Sequence, residues 1–365
     1  MHIAQLTWPD NAMPPVGYGP VQLVAANLAN GLIDAGHRVT TFTADSSTVK
    51  GDRINICSRP SRGNPDASTP DTYRHILLRE MMAHKDDFDI IHSHINTGTI
   101  VFLELTSTPV IITLHGNYLH TPDIRECYKK YAQKAFFVAS SDFQKQSLPN
   151  VNYLGTVYHG IDTSRFAFGS EADDYMLYVG RTFPTKGLAI AIQVALKTKK
   201  RLKIIAKTEN SDEAKNYYDN EVKPYLDSEF IEYLGEIAQE ELPQYYQKAK
   251  LLIFPTEAEE AFGLVVAEAA ASGTPTVSYA KGALSEIVGD GQSGYLVNRN
   301  PEEIRGDWAI KNTGIDGLVE AVQAIYNLDA TNYAAMRQSA NRQATEKFSI
   351  EAMVKGYIEI YNRAL

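Results

Sequence analysis

Two glutamates eight residues apart carry the strongest chemical signal in this chain. The segment TEAEEAFGLVVAEAAASGTPTV, residues 256–277, sets Glu260 just before a predicted helix and Glu268 inside it. At 1.5 Å of rise per residue they stand about 12 Å apart. Two carboxylates that flank one glycosidic bond need roughly 5 to 9.5 Å, so this pair is too widely spaced for that hydrolysis. The separation suits the two ends of a nucleotide-sugar, one carboxylate on sugar hydroxyls and the other on a ribose. Between them, the first-turn amides of Phe262, Gly263 and Leu264 form a helix N-terminus able to hold a diphosphate. Taken alone, each glutamate reads more simply as a solvated charge at a helix start.

A second segment, YVGRTFPTKGLAIAI (178–192), supplies cations. Its strand is predicted to end at Gly180, with Arg181 and Lys186 flanking a short loop before a helix. Two fixed cations at a strand end suit a diphosphate, above all one becoming a leaving group. The Gly-x4-Gly-Lys-Ser/Thr spacing of a Walker loop is absent. Singly, both are equally ordinary surface cations.

The remaining signals are weaker. The loop PPVGYGPVQ brings Gly17 and Gly19 to the start of another helix, a pattern that a plain turn also explains. It lacks the third glycine of a dinucleotide fingerprint, and no acid stands clearly at the ribose position, which disfavours a dehydrogenase. His115 ends a strand in TLHGN, where α/β sheets place site residues; a lone strand-end histidine is more often structural. His92 and His94, in HSH, have no carboxylate or cysteine at ligand spacing, so packing and orientation are the favoured roles and no metal is implied.

Positioning these residues requires a particular scaffold. Strand HIAQLT, helix VQLVAANLANGLIDAG and strand HRVTTFTA form a strand–helix–strand unit of the kind that builds parallel sheets. Strands FDIIHSH, TPVIITLHG, KAFFVAS and VNYLGTVYHG follow, with helices predicted around 72–84 and 121–130. The stretch TSRFAFGSEADDY reads as a linker, after which the alternation restarts at YMLYVG and runs to GYLV. Two consecutive arrays of similar size predict two doubly wound α/β domains, 1–165 and 166–345. The closing segment SIEAMVKGYIEIYNRAL, within 346–365, is amphipathic with Met353, Tyr357 and Ile360 on one stripe, and is predicted to pack back on the body.

The composition of the 365 residues is that of an ordinary globular protein, 44% hydrophobic and 22% charged, which excludes disorder and fibrous repeats. The longest apolar runs are far short of a bilayer span. The first residues lack the basic flank and apolar core of a signal peptide, and two cysteines make neither a disulfide framework nor a cysteine zinc site, so a reducing cytoplasm is the expected location. A net charge of −9 argues against nucleic acid. The charge is uneven: residues 1–165 carry 14 Lys/Arg against 15 Asp/Glu, and 166–365 carry 21 against 29.

In order and spacing these segments resemble the family 4 retaining glycosyltransferases of GT-B fold, nearly end to end. The match runs through the Gly-rich first loop, GHRVTTFT, FDIIHSH, TLHGNY, VYHGIDTSRF, YVGRTFPTKGL, EYLGEI, the Glu260-x7-Glu268 block and the closing FSIEAM helix. The resemblance implies two Rossmann-like domains facing across a cleft, an acceptor domain followed by a nucleotide-sugar donor domain. It assigns Arg181 and Lys186 to the donor diphosphate, Glu268 to the ribose hydroxyls, and Glu260 to the donor sugar with the amides of Phe262, Gly263 and Leu264 nearby. His115 would lie by the sugar and reaction centre, Gly17 and Gly19 would close over the donor, and Tyr233, Leu234 and Glu236 would border the base. The chain departs from the family in two places. His159 in VYHGID replaces the usual Asn, and IIAKTEN lacks a Gly-x-Gly, leaving Lys207 as the candidate for part of that role.

The resemblance implies retention of anomeric configuration by same-face attack, with the departing phosphate helping to deprotonate the acceptor. No cofactor or metal is expected, because Arg181, Lys186 and a helix dipole take the leaving-group charge. UDP-glucose is the default donor, ahead of UDP-GlcNAc, UDP-galactose and GDP-mannose. A growing polysaccharide or a glycolipid is the expected acceptor, with at most peripheral, transient membrane contact. The rivals are a sugar-nucleotide 2-epimerase of the same fold and a non-catalytic two-lobed binding protein.

Overall fold

Strands that alternate with helices are driven into parallel pairing, because each helix returns the chain across the sheet before the next strand begins. The computed structural model describes residues 1–62, 70–117 and 121–365. It comprises two compact units, Met1–Ile161 with Ser349–Leu365, and Asp162–Phe348. The division falls after Ile161, four residues before the anticipated boundary. Asp162 accepts hydrogen bonds from the amides of Ser164 and Arg165, so the turn belongs to the second unit. At the other end, Phe348 stays in the second unit, edge-on to Phe262.

The first unit contains β1 (His2–Leu6), α1 (Pro20–Asp34), β2 (Arg38–Ala44), β3 (Asp52–Cys57), α2 (Pro70–Ala83), β4 (Ile90–Ser93), a 3-10 segment (Asn96–Leu105), β5 (Val110–Thr113), α3 (Pro122–Tyr131), β6 (Phe136–Ala139), α4 (Asp142–Ser147) and β7 (Tyr153–Thr156). Its sheet runs β3-β2-β1-β4-β5-β6-β7, parallel throughout. Strand β3 escaped the sequence reading because it is an edge strand, DRINIC, with Ile56 as its one buried side chain. Ala4, Leu6, Phe42, Ile91, Ile112 and Phe137 join in the core.

The second unit contains β8 (Met176–Thr182), α5 (Leu188–Thr198), β9 (Leu202–Thr208), α6 (Asp212–Tyr217), β10 (Ile231–Gly235), α7 (Leu242–Lys248), β11 (Leu251–Phe254), α8 (Leu264–Ala271), β12 (Thr276–Tyr279), α9 (Leu284–Ile287), β13 (Gly294–Val297), α10 (Gly314–Tyr326) and α11 (Ala330–Lys347). The order β10-β9-β8-β11-β12-β13 is again parallel. Helix α11 is mostly polar and carries a fully buried arginine. Arg337 donates to the carbonyls of Gly169, Gln247, Ala249 and Ser272, so its charge is offset by backbone dipoles rather than by a carboxylate.

The last helix, α12 (Ile350–Ala364), belongs to the first unit and lies against α1 and β7. Met353, Tyr357 and Ile360 are buried, on the face that the amphipathic pattern selects. Both sheets reverse strand order once, between β1 and β4 and between β8 and β11. In doubly wound folds, ligands bind beyond the carboxyl ends of the strands at such reversals.

Candidate functional site

In the second unit, Arg181, Lys186 and Glu260 lie at and just past the ends of β8 and β11, while Glu268 lies within α8. Strand β8 extends to Thr182, two residues past the predicted end at Gly180. Arg181 is therefore a strand residue, in register with Lys207 of β9, and not part of the following loop. The extension follows from a full ladder with β9, whose seven pairs run to Thr182 and Thr208. The chain then makes a single 3-10 turn, Pro184–Lys186, before α5.

Between that turn and α5 sits Gly187, with φ +74°, where a Cβ would come within 2.0 Å of the carbonyl oxygen of Pro255. A glycine is required for this contact between the two loops. Thr185 O accepts from the amides of Glu257 and Ala258. The buried Tyr178 hydroxyl donates to Lys186 O at 3.0 Å and lies 3.3 Å from Arg181 O.

The side chains pair across this stitching. Lys186 Nζ is 2.5 Å from Glu260 Oε1, which also accepts from Thr256 Oγ1 at 3.0 Å. Arg181 Nη1 is 2.5 Å from Glu209 Oε1. The neighbouring acids are held by cations from far along the chain. Arg299 Nε donates to Glu257 at 2.6 Å, Arg305 pairs with Glu259, and Lys281 bridges Glu259 and Glu303. Glu303 is held below the usual carboxylate range by Lys281 and Arg305, against the opposing effect of burial.

Helix α8 starts at Leu264, after Gly263 at φ +114° and with no side-chain cap. Phe262 is buried, while Gly263 and Leu264 are partly exposed. Glu268 lies inside α8, buried, and accepts a hydrogen bond from Tyr246 Oη at 3.0 Å. Burial raises its carboxyl to about 7, opposed by the Tyr246 hydroxyl and the charge of Arg165. Of the three base-bordering candidates, Tyr233 has its hydroxyl 3.4 Å from Thr208 Oγ1 and Glu236 pairs with Lys207 at 3.3 Å, while Leu234 is partly buried in β10.

In the first unit, Gly17 has φ +75° and Gly19 precedes Pro20, the first residue of α1. A Cβ on Gly19 would stand 2.7 Å from Pro15 Cβ. His115 follows β5, with its Nε2 2.7 Å from His94 Nδ1 and its ring stacked on His159 at 5.0 Å. Burial and the other histidines push His94 and His115 well below the usual imidazole range and His92 to about 3, and burial alone takes His159 to about 4. Tyr118 of the TLHGNY match lies outside the described residues. Among the described residues, no group of three or more His, Cys, Asp or Glu side chains is arranged to hold a metal ion.

Two residues at these sites carried no sequence signal of their own. Glu209 stands one residue past β9, a strand-end position that could have marked it. Tyr246 is an unremarked position of α7, and nothing local ties it to Glu268.

The profile described as "Glycosyl transferases group 1" matches residues 160–329, and the one described as "Glycosyltransferase Family 4" matches residues 21–165. An uncharacterized glycosyltransferase of Methanocaldococcus jannaschii is 23% identical, over all of this chain and 99% of its own. A D-inositol 3-phosphate glycosyltransferase of Pseudarthrobacter chlorophenolicus is 25% identical over 95% of this chain and 91% of its own. Among solved structures, Anabaena HepE in complex with UDP-glucose superposes with a TM-score of 0.75 at 16% identity, covering all of both chains.

Proposed function

This chain belongs to glycosyltransferase family 4, with the GT-B fold, and from that premise we propose that it moves glucose from UDP-glucose to a carbohydrate or glycolipid acceptor with retention of configuration. The observation that carries this reading is the pairing of the cations at and just past the end of β8 with carboxylates, Arg181 with Glu209 and Lys186 with Glu260 of the segment that leads into α8. A nucleotide diphosphate is the ligand whose charge these cations fit.

In this reading Arg181 and Lys186 take up charge as the sugar–phosphate bond breaks, which is where fixed electrostatic groups act most strongly. The start of α8 adds its dipole. These groups supply what a metal ion would otherwise supply, so transfer is metal-independent. Glu260 and the amides of Phe262, Gly263 and Leu264 orient the sugar, Glu268 binds the ribose, and Tyr233, Leu234 and Glu236 border the base. His115 accepts a hydrogen bond from the sugar, with Gly17 and Gly19 close to the donor. The acceptor belongs to the first unit. A glycolipid acceptor would be met by peripheral, transient contact; among the described residues no helix is long and apolar enough to cross a membrane. HepE, crystallised with UDP and with UDP-glucose, supports the choice of donor.

Incubation with UDP-glucose, UDP-GlcNAc, UDP-galactose and GDP-mannose, with and without oligosaccharide acceptors, tests the reading through nucleotide release. Acceptor-dependent release of UDP, unaffected by chelator, supports it. Isomerisation of the free donor would establish an epimerase instead, and tight binding without turnover a non-catalytic protein. Inversion at the product's anomeric carbon would overturn retention.

A further inference from the structure

The chemistry of His115 depends on which ring nitrogen carries its proton, and the residues behind it settle that order. Gln5 of β1 and His92 of β4 are paired in register, and the amide of His94 donates to Leu6 O at 2.9 Å. The sheet thereby sets the Gln5 side chain between the two histidines. Its Oε1 lies 2.8 Å from His94 Nε2 and its Nε2 3.4 Å from His92 Nδ1.

We infer that His94 is a positioning residue for His115: anchored by Gln5, it fixes His115 as the Nε2–H tautomer and leaves Nδ1 as the acceptor nitrogen. An amide oxygen only accepts, so the proton in the 2.8 Å bond belongs to His94 Nε2. His94 is neutral, because burial holds it well below the usual imidazole range. A neutral imidazole has one N–H, so His94 Nδ1 is a lone pair. The hydrogen in its 2.7 Å bond to His115 Nε2 must come from His115. His115, neutral for the same reasons, then has a lone pair at Nδ1.

The far side of the network agrees. His92 Nδ1 faces the Gln5 amide nitrogen, which only donates, so it is the accepting nitrogen, and the Tyr361 hydroxyl at 2.7 Å can donate to it. His92 Nε2 faces Thr113 Oγ1 at 2.7 Å, and that hydroxyl is 2.7 Å from Tyr357 Oη. His92 Nε2–H then donates to Thr113 Oγ1, whose own proton goes to Tyr357 Oη. An acceptor at Nδ1 suits a sugar hydroxyl, whereas the opposite tautomer would present an N–H.

The functional part of this inference rests on the role proposed for His115 at the sugar; the proton order does not. Histidine-selective ¹⁵N NMR of the intact protein reads the tautomer directly. The expected spectrum has His115 protonated at Nε2 and unprotonated at Nδ1, and a His115 protonated at Nδ1 would overturn the proposal.

Transfer assays supply the second readout. His94→Leu removes the acceptor and is expected to lower kcat by about tenfold or more with donor KM changed less than about twofold. His94→Asn puts an amide oxygen near the place of Nδ1 and is expected to restore both the tautomer and most of kcat. Unchanged kcat in His94→Leu, or no difference between the two variants, also overturns it. If His94→Leu does not fold, Gln5→Leu serves, because it removes the acceptor that holds the proton on His94 Nε2; a His115 tautomer and kcat both unchanged there count against the proposal. Should His115→Ala transfer at the wild-type rate, the role given to His115 fails while the NMR result stands or falls separately.

Discussion

Lys186 Nζ and Glu260 Oε1, 2.5 Å apart, join the end of the β8 turn to the segment that leads into α8. Each residue is assigned a different part of the donor, the cation a phosphate and the carboxylate a sugar. Their pairing makes the two loops one unit, reinforced by Thr256 and by the carbonyl of Thr185.

Lys186→Ala should therefore lower turnover by roughly two to three orders of magnitude, the usual cost of removing a group aimed at developing charge. The fold should persist, since Thr256 still donates to Glu260. Turnover and melting temperature measured on the same preparation check this. Near-normal transfer by a folded variant would remove Lys186 from the reaction.

The Arg181–Glu209 pair predicts the opposite sign. A diphosphate arriving at Arg181 must compete with the Glu209 carboxylate, 2.5 Å away and about one-third exposed. Partly exposed pairs of this kind contribute modestly. Glu209→Gln should tighten UDP binding by about twofold to fivefold, the range that such a pair spans. Binding of uridine, which has no phosphate, should not change. Calorimetry with both ligands decides the matter, and weaker UDP binding by Glu209→Gln would show that the carboxylate assists the ligand rather than opposing it.

What the sequence made legible follows the range of the interactions involved. Two α/β arrays, the strand-end cations and the Glu260–Glu268 spacing are local patterns, and each is visible within one segment. The clasp around residues 257–260 is not, because Lys281, Arg299 and Arg305 come from beyond α8 and meet these acids through tertiary folding alone. Helix α11 carries no amphipathic signal, because its buried stripe is Met336, Arg337, Ala340 and Ala344, too small and too polar. Arg181 reads from sequence as lying just past the strand because apolar character stops at Val179, whereas the hydrogen-bonded ladder does not.

The ribose role proposed for Glu268 would couple donor binding to pH. Burial raises its carboxyl from an ordinary 4.5 to about 7. The folded chain therefore keeps a proton that the unfolded chain has lost, and this group's contribution to stability falls as pH rises through that window. Glu268→Gln should gain melting temperature relative to wild type between about pH 5 and pH 8.

The ribose role adds a second consequence. Hydroxyl donors favour the ionised carboxylate, so UDP binding near pH 6.5 should release more protons in wild type than in Glu268→Gln, the release from the UDP phosphate itself being common to both. Calorimetry in buffers of different ionisation enthalpy measures that release directly. Equal proton release by both proteins would remove Glu268 from the ribose site.

Gly282 offers a way to move Glu260 without touching its carboxylate. The residue has φ +59°, and a Cβ there would stand 2.3 Å from Glu260 O and 2.4 Å from Glu260 N. Its amide also donates to Glu259 Oε2 at 2.7 Å, and the next amide, Ala283 N, donates to Glu260 O. An alanine must therefore push the 259–260 backbone aside, at a cost of about 1 to 3 kcal/mol in stability. Because Glu260 is assigned to the sugar, the displacement should discriminate between ligands. Gly282→Ala should bind UDP within about threefold of wild type, yet lose about tenfold or more in affinity for UDP-glucose and in kcat, as a misplaced orienting group does. Equal losses for UDP and UDP-glucose would place the damage in the diphosphate site and deny Glu260 its contact with the sugar.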